Sequence, residues 1–162
     1  MNGRKISLLA VFIGLSVVGA SIKIPAITGS VALDAFPALL AATFFGGVPG
    51  AIVAALGHIV SALLGGMMMG PLHFIVAVEM GILVFCFAHL WKRKWLASAF
   101  FVFGNAILAP LPFIYFYGIP FYTALLPSLL IGSVINTVVA LLLIPRLSPI
   151  FKGAYEKGTV KG

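Results

Sequence analysis

Charged residues are scarce in this sequence, and their scarcity excludes a soluble globular fold. Only 8% of the 162 residues are charged and 62% are hydrophobic, so the mean hydropathy reaches +1.23. A soluble domain carries roughly a quarter of its residues as charged side chains, and a surface with so few must face lipid. Because each membrane-spanning helix needs about 20 mainly apolar residues, the length predicts an all-α integral membrane protein, a bundle of six transmembrane helices.

Cysteine and the familiar catalytic motifs are also nearly absent. The single cysteine, Cys86, excludes an internal disulfide and a multi-cysteine zinc site. The sequence contains no HExxH pair, no P-loop, no dinucleotide-binding glycine pattern and no convincing internal repeat. We therefore expect no cofactor, no metal centre and no catalytic residue.

Acidic residues number only three, against ten Lys and Arg, and the basic residues are confined to a few places. Apart from Lys23 they lie within the ranges 4–5, 92–94 and 146–161. Basic clusters between apolar runs orient the spans of a membrane protein, so nucleic acid binding is not expected. The positive-inside rule puts both termini and the turn at 92–94 in the cytoplasm, as in a multi-pass protein of the bacterial cytoplasmic membrane.

Six apolar runs, separated by short turns, define the predicted spans. They cover residues 6–24, 31–45, 50–64, 72–91, 95–117 and 123–144. Residues 1–151 then form one membrane domain and residues 152–162 a basic cytoplasmic tail. The first run also fits a cleavable signal peptide, but its removal would leave an odd number of spans.

Small residues mark the helix faces that should meet protein, because they let helix backbones approach closely in lipid. In the third span a stripe at every fourth position predicts that His58 faces inward, and a similar stripe in the sixth span includes Asn136. The first span carries a small pair, Ala10 and Gly14, that could pack on a neighbouring span or on another protein. The third-span stripe consists of Gly50, Ala54, His58, Ala62 and Gly66.

The few polar side chains within the apolar runs are the candidate site residues. Glu79 is the strongest candidate, because an ionisable group about two turns inside a membrane helix is costly unless it has a function. Asn105 and Asn136 fit either helix packing or ligand contact. Asp34 fits either a site or the N-terminal cap of the second helix.

Two histidines and a methionine-rich turn complete the candidate set. We expect His58 to bond another interior polar group, such as Glu79 or Asn136, rather than a metal. His73 lies near the outer start of the fourth span, at a pocket mouth or in the solvated interface. The turn with Met67, Met68 and Met69 suits a flexible lid, since thioethers pack well on aromatic rings.

Other classes of membrane protein use similar residues. An integral-membrane enzyme could use His58, His73 and Glu79, although their spacing matches no metal-binding motif. A proton-coupled carrier could use Glu79 as a relay, but many such carriers contain inverted repeats.

Four stretches carry a resemblance to a known family. Together with six short spans, cytoplasmic termini and the small-residue pair, they resemble the substrate-binding S component of an energy-coupling factor (ECF) vitamin transporter, closest to the alpha-ribazole transporter members. The resemblance covers about residues 4–151. The stretches are GSVALDAFPALLAA (29–42), GHIVSALLGG (57–66), GPLHFIVAVEMG (70–81) and LPSLLIGSVINTVVALLLIPRL (126–147).

The resemblance implies a binding subunit that hydrolyses nothing itself. Such a subunit holds a vitamin or precursor in an outward-facing pocket and topples on a transmembrane coupling protein, which two cytosolic ATPases drive. Ala10 and Gly14 match the pair that meets the coupling protein, although Gly14 stands where the family usually has Ala. The turn at 65–71 matches the lid.

The ligand implied is alpha-ribazole, a cobalamin precursor that joins a flat benzimidazole to a ribose. The ring would contact Phe, Met or Tyr, and the hydroxyls would bond Asn, His or carboxylate groups. An anionic vitamin would need a fixed cation, and only Lys23 lies near the outer side. Cobalamin, a thiamine precursor and pantothenate are the alternatives.

Overall fold

Helices make up nearly all of the computed structural model, which describes residues 3–25, 30–67 and 69–159. The helices are α1 (Gly3–Ser21), α2 (Phe36–Phe45), α3 (Gly47–Leu64), α4 (His73–Leu90), α5 (Lys94–Phe103) and α6 (Phe113–Thr159). A short antiparallel ribbon of β1 (Lys23–Pro25) and β2 (Ser30–Ala32) joins α1 to α2. The predicted helical class is confirmed, and the ribbon is an addition that the sequence did not indicate.

Three helical stretches are long and apolar enough to cross a membrane. They are Gly47–Leu64, Gly70–Leu108 and Phe113–Phe151, and the apolar helices Ile6–Ser21 and Phe36–Phe45 are shorter. The second stretch contains both α4 and α5, which pack against each other on either side of a turn. At 1.5 Å per residue α2 is only about 15 Å long, half the thickness of a bilayer core. Six crossings and the orientation of the termini therefore stay predictions.

The short helix α2 lies at the centre of the bundle. It contacts α1, α3, α4 and α6, and every residue from Pro37 to Ala42 is buried. A helix that is apolar on all sides is stable only when other elements surround it. The structure therefore buries α2 on all sides rather than along one face.

Close contact around α2 and α3 depends on glycine. A Cβ atom added at Gly50 would lie 2.5 Å from Cβ of Ala42, and one added at Gly57 would lie 2.7 Å from Cβ of Ser16. Larger side chains at these positions would push α3 away from α2 and α1. Within the predicted inward stripe Gly50, Ala54 and Ala62 are buried and His58 is partly buried, whereas Gly66, in the turn after α3, is exposed.

Several predicted span boundaries differ from the helix ends in the structure. The second helix begins at Phe36 rather than Val31, because Ser30–Ala32 pairs with β1 and Pro37 suits the first turn of a helix. The prolines at 110 and 112, which are predicted to interrupt the fifth span, do so in the structure, and the fifth helix does not continue to residue 117. It passes at Gly104–Leu108 into a π-helical turn and ends before Pro110 and Pro112.

The last helix is correspondingly longer than predicted. The helix that begins at Phe113 is broken at Gly118, whose φ of 80° and ψ of 172° are not helical, and a second helix continues from there past Pro145 to Thr159. The predicted tail from residue 152 therefore starts as helix.

A cluster of phenylalanines packs α6 against α1 and α2. The cluster lies at the end of the bundle that is far from the β1–β2 ribbon. The ring of Phe151 stacks on that of Phe44 at 4.9 Å and contacts Phe12 and Phe45 at 5.7 and 5.6 Å. The start of α3 packs at the same end against the last turn of α4, where Gly47 meets Phe85 and His89. The end of α2, the start of α3 and the last turn of α4 therefore lie at one end of the molecule, next to Phe151 of α6, and the side of the membrane on which the termini lie stays a prediction.

Candidate functional site

Asn136 uses its whole side-chain amide to hold the loop that enters α2. Its Oδ1 accepts hydrogen bonds from the backbone N–H groups of Ala35 (3.0 Å) and Phe36 (2.9 Å). Its Nδ2 donates to the carbonyl oxygens of Ala32 and Gly132, both at 2.9 Å. Asn136 is buried, so a ligand contact at this amide would have to displace one of these bonds. Asn136, from α6, therefore caps α2.

Asp34 lies in the same loop, just before α2. Its side chain is partly exposed, and it lies within the predicted second span, 31–45. The sequence left open that Asp34 caps α2, and in the structure Asn136 makes the capping bonds to Ala35 and Phe36. Whether Asp34 contacts a ligand stays a prediction.

His58 and His73 contact each other across α3 and α4. Nε2 of His58 lies 3.2 Å from Nδ1 of His73, and the ring centroids are 5.3 Å apart. The structure therefore pairs His58 with His73 and not with the expected Glu79 or Asn136. On its other side, Nε2 of His73 accepts a long hydrogen bond (3.5 Å) from the backbone N–H of Met69.

The turn between α3 and α4 is wound tightly over this pair. The N–H of Met67 bonds the carbonyl oxygen of Ala62 at 2.8 Å, and the N–H of Gly70 bonds that of Met67 at 2.7 Å. Gly66 and Gly70 have positive φ, and so does Met67, at 44°. A side chain there costs about 1–2 kcal/mol in backbone strain. Met67 and Met69 are partly exposed, and Met68 lies outside the described residues.

Asn105 lies on the π-helical turn and faces α6. Its Nδ2 donates to Oγ of Ser133 at 2.7 Å, and Ser133 donates in turn to the carbonyl oxygen of Leu129 at 2.6 Å. The hydroxyl of Tyr122 bonds the carbonyl oxygen of Ile107 at 3.2 Å. π-Helical turns occur often at functional sites. Nothing in the sequence indicated the bonds of Ser133 and Tyr122, because both depend on which helices pack together.

Glu79 points an unpaired oxygen into the protein. The residue is partly exposed, yet its Oε2 is buried and has no hydrogen-bond partner among the described residues. Ser16 and Ser61 also have buried hydroxyl oxygens without a partner in this part of the chain. Glu79 lies on α4 one turn before Leu83, which packs on Gly104 of the π-helical turn. An oxygen so placed can accept a hydrogen bond from a bound molecule.

The predicted site residues therefore fall into separate contacts. Asn136 bonds the backbone on either side of Asp34 at the start of α2, His58 and His73 contact each other beside Met69, and Asn105 binds Ser133. Within residues 3–25, 30–67 and 69–159, no group of three or more His, Cys, Asp or Glu could hold a metal ion.

The predicted docking pair lies on an open face of α1. Ala10 and Gly14 are both exposed, and a Cβ atom added at Gly14 would meet nothing within 4 Å. Val11 and Val18 on the same side of the helix are 64% and 59% exposed. No described element covers this face.

Long apolar helices around a buried central helix, with polar groups between them, define a small helical membrane protein. A family model described as "ECF transporter, substrate-specific component" matches residues 4–154. The chain belongs to this family, and it is the substrate-specific subunit of an ECF importer, which works with a membrane coupling protein and ATPases. No curated protein matches the chain. The predicted family is confirmed, and the alpha-ribazole subgroup stays a prediction.

Proposed function

We propose that this subunit captures alpha-ribazole, or a closely related benzimidazole riboside, on the outer side of the membrane. The observation that supports this proposal best is the chemistry of the candidate residues. Between residues 6 and 91 the only Lys or Arg is Lys23, and between residues 95 and 145 there is none. Imidazole, amide and carboxyl groups recognise a neutral ligand through hydrogen bonds, whereas an anionic vitamin would lack a fixed partner.

The binding pocket in this proposal lies between α4, α5, α6 and the turn at 65–71. Glu79 contributes an unpaired acceptor oxygen for a ribose hydroxyl. Asn105 and the ring of Tyr122 flank the π-helical turn, and Met67 and Met69 cover the flat ring of the ligand. The remaining polar groups are supplied or positioned by four further candidate residues. They are Asp34, His58, His73 and Asn136.

Transport in this proposal follows from the open face of α1. Ala10 and Gly14 dock on the coupling protein, and the loaded subunit topples in the membrane to release its ligand inward. The subunit itself carries out no chemical step.

A thermal-shift screen of the purified chain against vitamins and their precursors tests the ligand. We expect alpha-ribazole to raise the midpoint of unfolding more than cobalamin, thiamine precursors or pantothenate, because a ligand of the folded state stabilises it by mass action. Mass spectrometry of the denatured protein should find the same heterocycle if it copurifies. A larger shift with another vitamin would leave the transporter role in place but show that the ligand is that vitamin. Turnover of a lipid would contradict the proposal.

A further inference from the structure

The prolines after the π-helical turn leave its carbonyl groups short of backbone donors. In a helix the carbonyl of Ala106 bonds the nitrogen four residues on, but that residue is Pro110, whose nitrogen carries no hydrogen. The next N–H group, that of Leu111, bonds the carbonyl oxygen of Leu108 at 3.2 Å instead. The carbonyl of Ala106 therefore has no backbone donor within residues 107–113, all of which the structure describes.

The carbonyl of Asn105 is in the same position. The N–H of Ala109, four residues on, bonds the carbonyl oxygen of Gly104 at 2.8 Å, and the fifth residue on is again Pro110. Asn105 is partly exposed and Ala106 is buried. Irregular backbone at membrane depth occurs where it lines a cavity or is surrounded by protein. These two carbonyl oxygens therefore indicate a place where hydrogen-bond donors bind.

A third carbonyl of the turn shows which kind of donor fits. Ile107 also lacks a donor five residues on, because that residue is Pro112. Its carbonyl oxygen accepts a hydrogen bond from the hydroxyl of Tyr122 at 3.2 Å. A hydroxyl group thus replaces the backbone donor at this carbonyl, and hydroxyl groups of a bound molecule can do the same at the other two.

Glu79 brings a further acceptor to the same level of the bundle. Since α4 and α5 pack against each other and are joined by the short turn Trp91–Arg93, they run in opposite directions. Leu83 of α4 packs on Gly104, so Glu79, one turn before Leu83, lies level with Leu108, one turn after Gly104. Oε2 of Glu79 is buried and has no hydrogen-bond partner among the described residues.

We propose that the carbonyl oxygens of Asn105 and Ala106, together with Oε2 of Glu79, form a site built only of acceptors that binds the sugar hydroxyl groups of the ligand. This inference rests on the proposed function for the identity of the ligand, and it assigns the ribose, rather than the flat ring, to the π-helical turn. Ribose hydroxyl groups donate to carbonyl and carboxylate oxygens. A ligand without them leaves the oxygens unpaired, which weakens binding, so the site selects ribosides over deoxyribosides.

Pro110→Ala tests the site because it returns the missing N–H group. The new donor lies four residues after Ala106 and five after Asn105, so it bonds one of these carbonyls and removes an acceptor from the site. The backbone carbonyls cannot be deleted by substitution, whereas this variant occupies one of them from within the chain.

Pro112→Ala is the matched control for the loss of a proline ring. It also returns an N–H group, but the carbonyls four and five residues before it already have partners. The carbonyl of Leu108 accepts from Leu111, and that of Ile107 accepts from Tyr122. This variant therefore leaves the acceptors of the site free.

The probes are alpha-ribazole and the matching dideoxyriboside, in which hydrogen atoms replace the two hydroxyl groups of the sugar ring. Isothermal titration should show that the wild type and Pro112→Ala bind alpha-ribazole about tenfold more tightly than the dideoxyriboside, the worth of one hydrogen bond. In Pro110→Ala this preference should fall below about threefold. Its affinity for the dideoxyriboside should stay close to that of the wild type, because the rest of the pocket is unchanged.

Glu79→Ala keeps the test decisive if Pro110→Ala does not fold. It removes one acceptor without a change in the backbone, and it should reduce the preference for alpha-ribazole in the same way. An unchanged preference in either variant would overturn the acceptor site, and so would an equal loss in Pro110→Ala and Pro112→Ala. If the wild type binds both compounds equally, the site fails and the proposed function stands. If the wild type binds neither compound, the proposed function fails and the site with it.

Discussion

At the scale of single residues, Asn136 joins two distant parts of the chain through more hydrogen bonds than any other described side chain. Its four hydrogen bonds connect α6 to the backbone around α2. Asn136→Ala should lower the free energy of unfolding by about 2 kcal/mol, since it removes a helix cap and leaves buried backbone groups unpaired. Reversible unfolding of the purified protein in detergent measures the loss.

The sequence also predicts that Asn136→Ala weakens ligand binding while the protein still folds. Lower stability and weaker binding can occur together, because the loop that contains Asp34 would lose its hydrogen bonds to Asn136 beside the proposed site. Asn136→Asp is the matched control. It keeps the acceptor for Ala35 and Phe36 but sets a carboxylate oxygen against the carbonyl oxygens of Ala32 and Gly132, so it should be no more stable than the alanine variant. Equal stability of wild type and Asn136→Ala would contradict the capping role.

Two buried serines offer a comparison of a satisfied with an unsatisfied hydroxyl. Ser16 and Ser133 are each 1% exposed, but Ser133 both donates and accepts a hydrogen bond, whereas Oγ of Ser16 has no partner in the described chain. Ser133→Ala should cost about 1 kcal/mol of stability, and Ser16→Ala should cost nothing or add stability. Unfolding midpoints of the two variants, measured side by side, check the difference. A larger loss for Ser16→Ala would show that its hydroxyl is bonded after all.

Glu79 tests the proposed site without a change in the fold. Because no described group bonds its Oε2, Glu79→Ala should leave the unfolding midpoint close to that of the wild type while weakening ligand binding about tenfold. Glu79→Gln is the conservative control, which keeps an acceptor oxygen and should retain most of the affinity. Isothermal titration of the three proteins with alpha-ribazole gives the dissociation constants. An unchanged constant for Glu79→Ala would remove Glu79 from the site.

At the scale of elements, the sequence predicts helices well and their ends poorly. Apolar runs and basic turns locate α3 and α4 within a few residues, because hydrophobicity and charge act locally. The strand at Ser30–Ala32 and the π-helical turn at Gly104–Leu108 depend on backbone hydrogen bonds to distant or adjacent segments that no local pattern specifies. The contact between His58 and His73 could not be predicted for the same reason, since it depends on how tightly the turn at 65–71 winds.

The crossing of α2 and α3 tests how closely these elements must approach. A Cβ atom at Gly50 would lie 2.5 Å from Cβ of Ala42 and 2.6 Å from its Cα, so Gly50→Ala should push the helices apart and cost about 1–3 kcal/mol. Gly81→Ala on α4 is the matched control. Its added Cβ would lie 3.5 Å from the carbonyl oxygen of Ala51, an ordinary contact, and alanine favours helix over glycine.

Thermal unfolding of the two glycine variants decides the point. Gly50→Ala should unfold at a lower temperature than the wild type, and Gly81→Ala at the same or a higher temperature. If both variants unfold at the same temperature as the wild type, α2 and α3 do not approach as closely as the structure shows.

At the scale of the whole molecule, charge and hydropathy predict more than single polar residues do. The basic clusters are predicted to lie on one side of the membrane, because positive charge resists passage through a membrane wherever it occurs in the sequence. The candidate site depends instead on which side chains pair with each other. Asn105 and Asn136 are engaged with Ser133 and with the α2 loop, which spacing within one helix cannot reveal.

The open face of α1 carries the prediction about the complete transporter. Ala10→Trp or Gly14→Trp should leave ligand binding intact, because both positions are exposed and the space beside Gly14 is empty. Either change should abolish uptake, since a bulky ring prevents the close helix approach that small residues allow. Phe103→Trp, at a 53% exposed position on α5, is the control for a bulky ring elsewhere on the surface and should transport normally.

Uptake of labelled ligand by cells that contain the coupling protein and ATPases, together with binding to the purified variants, separates docking from recognition. Copurification of the coupling protein with each variant shows where the block lies. Loss of that association in Ala10→Trp and Gly14→Trp, with binding preserved, would place the docking surface on α1. Normal uptake by both variants would mean that another face of the bundle meets the coupling protein, and the exposed apolar side of α3 and α4, with Leu64 73% and Val78 61% exposed, would be the next surface to test.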